Sequence, residues 1–173
     1  SMNKQLLIVL FIMFCLPSVA QDKPRRLLGA DISMLPKYEE KNTVYRDADG
    51  KAVDALSFFK ESGWNAARVR LFVNPDKAPE QNKEEGVCQD IPYVAKFGRQ
   101  IKDAGMQFML DFHYSDTWAD PAKQWTPKAW ENLSDEQLYT KIYEYTKAVL
   151  TQMKNAGAEP DFIQTGNEIS YGM

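Results

Sequence analysis

Glu168 stands directly after Asn167, at the end of the short segment Phe162 to Thr165 that reads as a strand. A carboxyl group at a strand tip suits general acid–base work. To protonate a leaving oxygen near neutral pH it needs a raised pKa, supplied by burial or by a neighbouring carboxylate. A solvated loop glutamate is the competing reading, because most Glu side chains face water. Gly166-Asn167-Glu168 alone is too short to choose between the two.

The stretch Asp111 to Trp130, DFHYSDTWADPAKQWTPKAW, narrows the chemistry. It places His113, Tyr114, Trp118, Trp125 and Trp130 beside Asp111, Asp116 and Asp120 on a strand end and its following loop. Sugar rings have apolar faces edged by hydroxyls. Aromatic rings cover such faces, while carboxylates and amides hold the hydroxyls. Trp118 is the expected sugar contact, whereas Trp125 and Trp130 divide between sugar contact and plugging or stapling the loop. His113 is the single histidine of the chain. With no second His a zinc site is not expected, and its role lies between orienting a site and filling the core. Arg70 reads as the cation of an ion pair at a strand end, able to hold a carboxylate ionised and aimed. Asp47-Ala48-Asp49-Gly50 resembles the start of a calcium loop, but it lacks the later ligands and places Gly too early. It reads as a tight turn between 44–46 and 51–53.

These residues need a frame. The pattern alternates strand-like and helix-like segments: strands at Leu27 to Leu35, Asn65 to Val73, Met106 to His113 and Phe162 to Thr165, and helices at Val53 to Ser62, Ile91 to Ala104 and Ser134 to about Asn155. Ala67, Val69, Leu71 and Val73 alternate with Arg68, Arg70 and Phe72, a period of two. Ser134 with Gln137 three residues on forms a capping pattern. Strands joined by helical crossovers form a parallel sheet, either an open doubly wound sheet or a (β/α)8 barrel. The first strand is followed by no glycine-rich phosphate turn, and polar and aromatic residues gather at the C-terminal strand ends, Ser33, Arg70, Asn74, His113 to Trp118, and Asn167 with Glu168. That is the active face of a barrel. A whole barrel takes roughly 250 residues, so 173 residues with four strands and three crossover helices correspond to the first half of one.

Composition is that of a globular protein, 44% hydrophobic and 26% charged, and the formal charge of −3 leaves no basic surplus for nucleic acid. Ser1 reads as a cloning scar before Met2. Lys4, the apolar run Leu6 to Leu16, Pro17 and Ser18-Val19-Ala20 read as a secretory leader over residues 1–20, too short for a membrane span. The mature domain, 21–173, then keeps Cys88 and loses Cys15, so no internal disulfide is expected.

Four stretches, GADISML (29–35), GWNAARVRLFVNP (63–75), AGMQFMLDFHYSDTWADPAKQWTPKAW (104–130) and IQTGNEISYGM (163–173), resemble glycoside hydrolase family 53, the endo-β-1,4-galactanases that cut the galactan side chains of pectin. The resemblance covers nearly the whole mature chain but about the first half of a family member. It implies a retaining (β/α)8 enzyme acting on galactan. In that pattern Glu168 is the acid/base, Asn167 contacts the sugar 2-hydroxyl, and Arg70 and His113 end the second and third strands. Asp116 and Trp118 line the cleft. The nucleophile, a second Glu at a seventh strand, has no counterpart in this sequence. The resemblance implies no organic cofactor, a structural calcium in the remaining half of some bacterial members, and a monomer when complete. Other β-glycanases of the same clan (for mannan, xylan or cellulose) and a non-catalytic glycan-binding protein are the rival expectations.

Overall fold

The computed structural model describes residues 26–170. The leader read in residues 1–20 and the closing residues 171–173 lie outside the described residues. In chain order the elements are β1 (Gly29–Asp31), α1 (Leu35–Glu40), the short pair β2 (Tyr45–Arg46) and β3 (Ala52–Val53), α2 (Ala55–Glu61), β4 (Ala66–Leu71), α3 (Glu80–Glu84), α4 (Ile91–Asp103), β5 (Gln107–Phe112), α5 (Asp135–Asn155) and β6 (Phe162–Thr165). Strands β1, β4, β5 and β6 form one parallel sheet in that order, while β2 and β3 make a separate antiparallel hairpin.

Register sorts the side chains between two faces. Arg68 lies opposite Met109, and Arg70 opposite Asp111, which in turn lies opposite Gln164. One face therefore carries Asp31, Arg68, Arg70, Met109, Asp111 and Gln164. The other carries Ala67, Val69, Leu71, Phe108, Leu110 and Phe112, which are buried in one core with Val94, Phe97 and Ile101 of α4 and Val149 and Met153 of α5. Contact there is close: a Cβ at Gly98 of α4 would run into the Phe108 ring. The helices thus cover the apolar face, and the charged face is left free of them among the described residues. A doubly wound sheet needs helices on both faces and hydrophobic strands throughout. A sheet whose second face turns polar toward its C-terminal end suits a barrel wall.

Local chemistry explains the departures from the expected boundaries. The first strand is shorter than 27–35. The Asp31 carboxylate accepts both the main-chain N–H (3.1 Å) and the hydroxyl (2.7 Å) of Ser33, which bends the chain, and Pro36 then opens α1. Helix α2 starts at Ala55 rather than Val53, because Val53 pairs with Tyr45 and the Asp54 side chain caps the Ser57 N–H at 2.8 Å. The turn expected at 47–50 joins β2 to β3, with Asp47 Oδ1 accepting from the N–H groups of Asp49 and Lys51. Ser134 and Gln137 cap α5 reciprocally. No described helix is long and apolar enough to cross a membrane.

Candidate active site

The C-terminal ends of the four parallel strands hold a connected set of charges. Arg68 is its hub. Its guanidinium donates to Asp31 Oδ2 (2.8 Å), Asp111 Oδ2 (2.5 Å), Asn167 Oδ1 (2.8 Å) and Gln164 Oε1 (3.1 Å), so one side chain from β4 touches residues of β1, β5, β6 and the turn after β6. Arg70 donates to Asp31 Oδ1 (3.1 Å) and Ser33 Oγ (3.2 Å). Two cations thus stand among two carboxylates, Asp31 and Asp111. Asp111 has no exposed side-chain surface, and Arg68 is its cationic partner there.

His113 continues this set. The Ala119 N–H donates to its Nδ1 at 2.9 Å, so Nδ1 is an acceptor, the ring is neutral and its proton sits on Nε2. Nε2 lies 3.0 Å from Asp111 Oδ2 but off the line of a hydrogen bond. The buried imidazole joins the end of β5 to the loop that follows, with the Phe72 ring edge-on to it at 5.0 Å between centroids.

The tip of β6 turns toward that loop. Gly166, at φ +92°, reverses the chain, a conformation that costs glycine little. The Asn167 side chain is then held on both sides: Nδ2 donates to Ala119 O (2.7 Å), while Oδ1 accepts from Arg68 and, at 3.3 Å, from Gln164. Glu168 follows in the left-handed region, φ +50°, unusual for a residue with a side chain. The residue is exposed.

The loop 113–130 is fixed by its own polar groups. Both Asp116 oxygens accept main-chain N–H groups, from Asn74 (3.0 Å) and Lys128 (2.8 Å), and the residue is buried. Asp116, expected to line the cleft, therefore serves first to brace the loop against the segment after β4. Trp118 is partly buried against Phe72, Ala78 and Val87, with one side open. Trp130 is buried and meets the Tyr145 ring edge-on, which makes it the plug. Trp125 is the exposed indole, 51% accessible, on the lip of a cleft of about 430 Å³ shared with Tyr139 and Tyr143. Burial pushes the Tyr114 hydroxyl above its usual pKa, against the opposing pull of its hydrogen bond to Thr146.

Of the residues expected from sequence, the structure gathers Arg70, His113, Asn167 and Glu168 at one end of the sheet. Arg70 holds Asp31; the arginine that reaches Asn167 is Arg68, which sequence reasoning passed over as one of two alternating positions. Both arginines share a face, so alternation could not rank them, and the deciding feature is the reach of Arg68 across three strands. Gln124 was also missed. It offers no composition signal, yet its Nε2 donates to Asp120 O (2.8 Å) and Asn167 O (3.0 Å). Among the described residues no three His, Cys, Asp or Glu side chains converge to hold a metal ion.

Comparison with known proteins agrees with this arrangement. The profile of glycosyl hydrolase family 53 matches residues 27–173. The chain belongs to glycosyl hydrolase family 53. It is 39% identical over 144 residues to the endo-β-1,4-galactanase of Bacillus subtilis, covering 83% of this chain and 33% of that protein. It is 38% identical over 142 residues to the arabinogalactan endo-β-1,4-galactanase of Cellvibrio japonicus, covering 82% and 35%. The solved family 53 catalytic domain of Ignisphaera aggregans superposes with a TM-score of 0.75 at 38% identity, over 83% of this chain and 39% of the other. A structure from work on two fungal β-1,4-galactanases gives 0.72 at 33% identity, over 82% and 40%. The chain thus spans between a third and two fifths of each of these relatives. Its parallel sheet and one-sided helices are those of a family 53 catalytic domain over that span.

Proposed function

We propose that this chain is the amino-terminal half of the (β/α)8 catalytic domain of a secreted, retaining endo-β-1,4-galactanase acting on the galactan side chains of pectin. The observation that carries the reading is Asn167 with Glu168 at the end of β6, tied by Arg68 and by the loop 113–130 to the other strand ends. The names of the family 53 relatives supply the substrate. In this mechanism Glu168 protonates the departing glycosidic oxygen, and the second carboxylate attacks the anomeric carbon from the opposite side. Glu168 then takes a proton from water, which releases the sugar with its anomeric configuration retained. Asn167 keeps one Nδ2 proton free for the sugar 2-hydroxyl, since the other is spent on Ala119 O.

Retention requires two carboxyl groups roughly 5–5.5 Å apart. Asp111 is sealed beneath Arg68, and both Asp116 oxygens are occupied by main-chain N–H groups, so neither is free to attack. The attacking group belongs to the remainder of the barrel, and the 173-residue chain alone is expected to be inactive. The leader at 1–20 implies export, and the complete protein is expected to be a monomer. The test is a polysaccharide screen with the full-length protein. Short galacto-oligosaccharides released from β-1,4-galactan, with β-anomers first in an NMR time course, are the expected result. Cleavage of mannan, xylan or cellulose instead would assign it to a sister specificity; binding without cleavage would make it a glycan-binding protein.

A further inference from the structure

We infer that Gln124 is a positioning residue for the proton donor, acting through the main-chain carbonyl of Asn167. This rests on Glu168 being that donor. The Gln124 Nε2 group spends its two protons on Asp120 O at 2.8 Å and Asn167 O at 3.0 Å, and the Glu168 carbonyl lies at the limit of contact, 3.5 Å. Asn167 is consequently gripped from the loop at two points, its side-chain amide on Ala119 O and its carbonyl by Gln124. The second grip fixes the 167–168 peptide, and that peptide sets the direction of the Glu168 side chain. It does so where help is needed, because Glu168 sits at φ +50°, a region that L-residues leave readily when nothing holds them.

The anchor is itself rigid. Asp120 and Lys123 exchange two main-chain hydrogen bonds, 3.1 and 2.9 Å, and Asp120 Oδ1 accepts from the Ala122 N–H at 2.8 Å, closing a tight turn that presents Gln124. The Glu168 proton donor is therefore aimed by a loop 43 positions away in sequence. Misplacing a catalytic group by about 1 Å costs on the order of 100-fold in rate. A sugar leaving group, which departs as a poor alkoxide, depends on that aim. A dinitrophenolate leaves without a proton and does not.

The experiment uses the full-length protein and the variants Gln124→Met, similar in length but without donors, and Gln124→Glu. The wild type is first assayed on galactan, mannan, xylan and cellulose, and that result bears on the function alone. The clamp is then judged on whichever β-glycan is cleaved. Gln124→Met is expected to lower kcat roughly 10- to 100-fold with KM within about threefold, while formation of the glycosyl-enzyme from the matching dinitrophenyl β-glycoside stays within about threefold of wild type. Gln124→Glu is expected to lose activity above the pKa of the new carboxyl and to regain part of it in acid, where a protonated carboxyl again offers one donor. Unchanged kcat on the polysaccharide, or an equal loss on the aryl substrate, overturns the inference. A crystal structure of Gln124→Met judges it without any substrate: Glu168 remaining at positive φ in the same direction overturns it, and a rotated 167–168 peptide supports it.

Discussion

Arg68 is the residue on which most of the site's polar groups converge. Asp111 has no exposed side-chain surface and pairs with that guanidinium. Removing one partner of a buried pair leaves the other uncompensated, at a cost of about 3–5 kcal/mol. Arg68→Ala should cost that much in urea unfolding of the full-length protein, and Arg70→Ala clearly less, since its partner Asp31 keeps Arg68; equal losses would contradict this ranking. Cys88 behaves differently. Burial raises its thiol pKa, against the opposing pull of Lys37. Its contribution to stability is therefore complete below the unfolded thiol value of about 8.5 and is lost as pH rises through the higher folded value. Native Cys88 should react with iodoacetamide at pH 8.5 at least severalfold more slowly than in the unfolded chain, because the thiolate is the nucleophile; equal rates would contradict it.

Among the elements, α5 carries the clearest local signature. Its capping box joins the Ser134 N–H to the Gln137 side chain (2.9 Å) and the Gln137 N–H to Ser134 Oγ (3.3 Å). Ser134→Ala should destabilise by about 1 kcal/mol, read as a lower Tm, with Ser134→Asp near wild type. This box, the period of two in β4, the apolar run of β5 and the turn at Asp47–Gly50 were all legible in the sequence, because each depends on neighbours a few positions apart. Helix α3 was not legible, being only five residues long and without a buried position. The contraction of the first strand was hidden too, as it follows from the Asp31 carboxylate bending back onto Ser33. The same distinction holds in the site. Asn167, Glu168 and His113 stand in recognisable contexts. The roles of Arg68, Gln124 and Asp116 each depend on a partner 42 to 99 positions away, which no local pattern encodes.

At the scale of the molecule, the sheet packs its apolar face on α4 and α5 and presents its charged face for something else to cover. Edge strand β6 leaves Phe162 and Ile163 exposed, 37% and 45% accessible. Both features fit a barrel wall whose further strands, in the proposed mechanism, would complete the core and bring the attacking carboxylate opposite Glu168. The family 53 relatives, of which this chain covers about two fifths or less in the alignments above, have the length for it. Hydrolysis of β-1,4-galactan by the full-length protein with Glu168→Gln, beside the wild type, tests the account most directly. A general acid–base contributes on the order of 100- to 10,000-fold. A fall in kcat of at least that order with galactan binding kept is the expected result; turnover equal to wild type would contradict the role of Glu168.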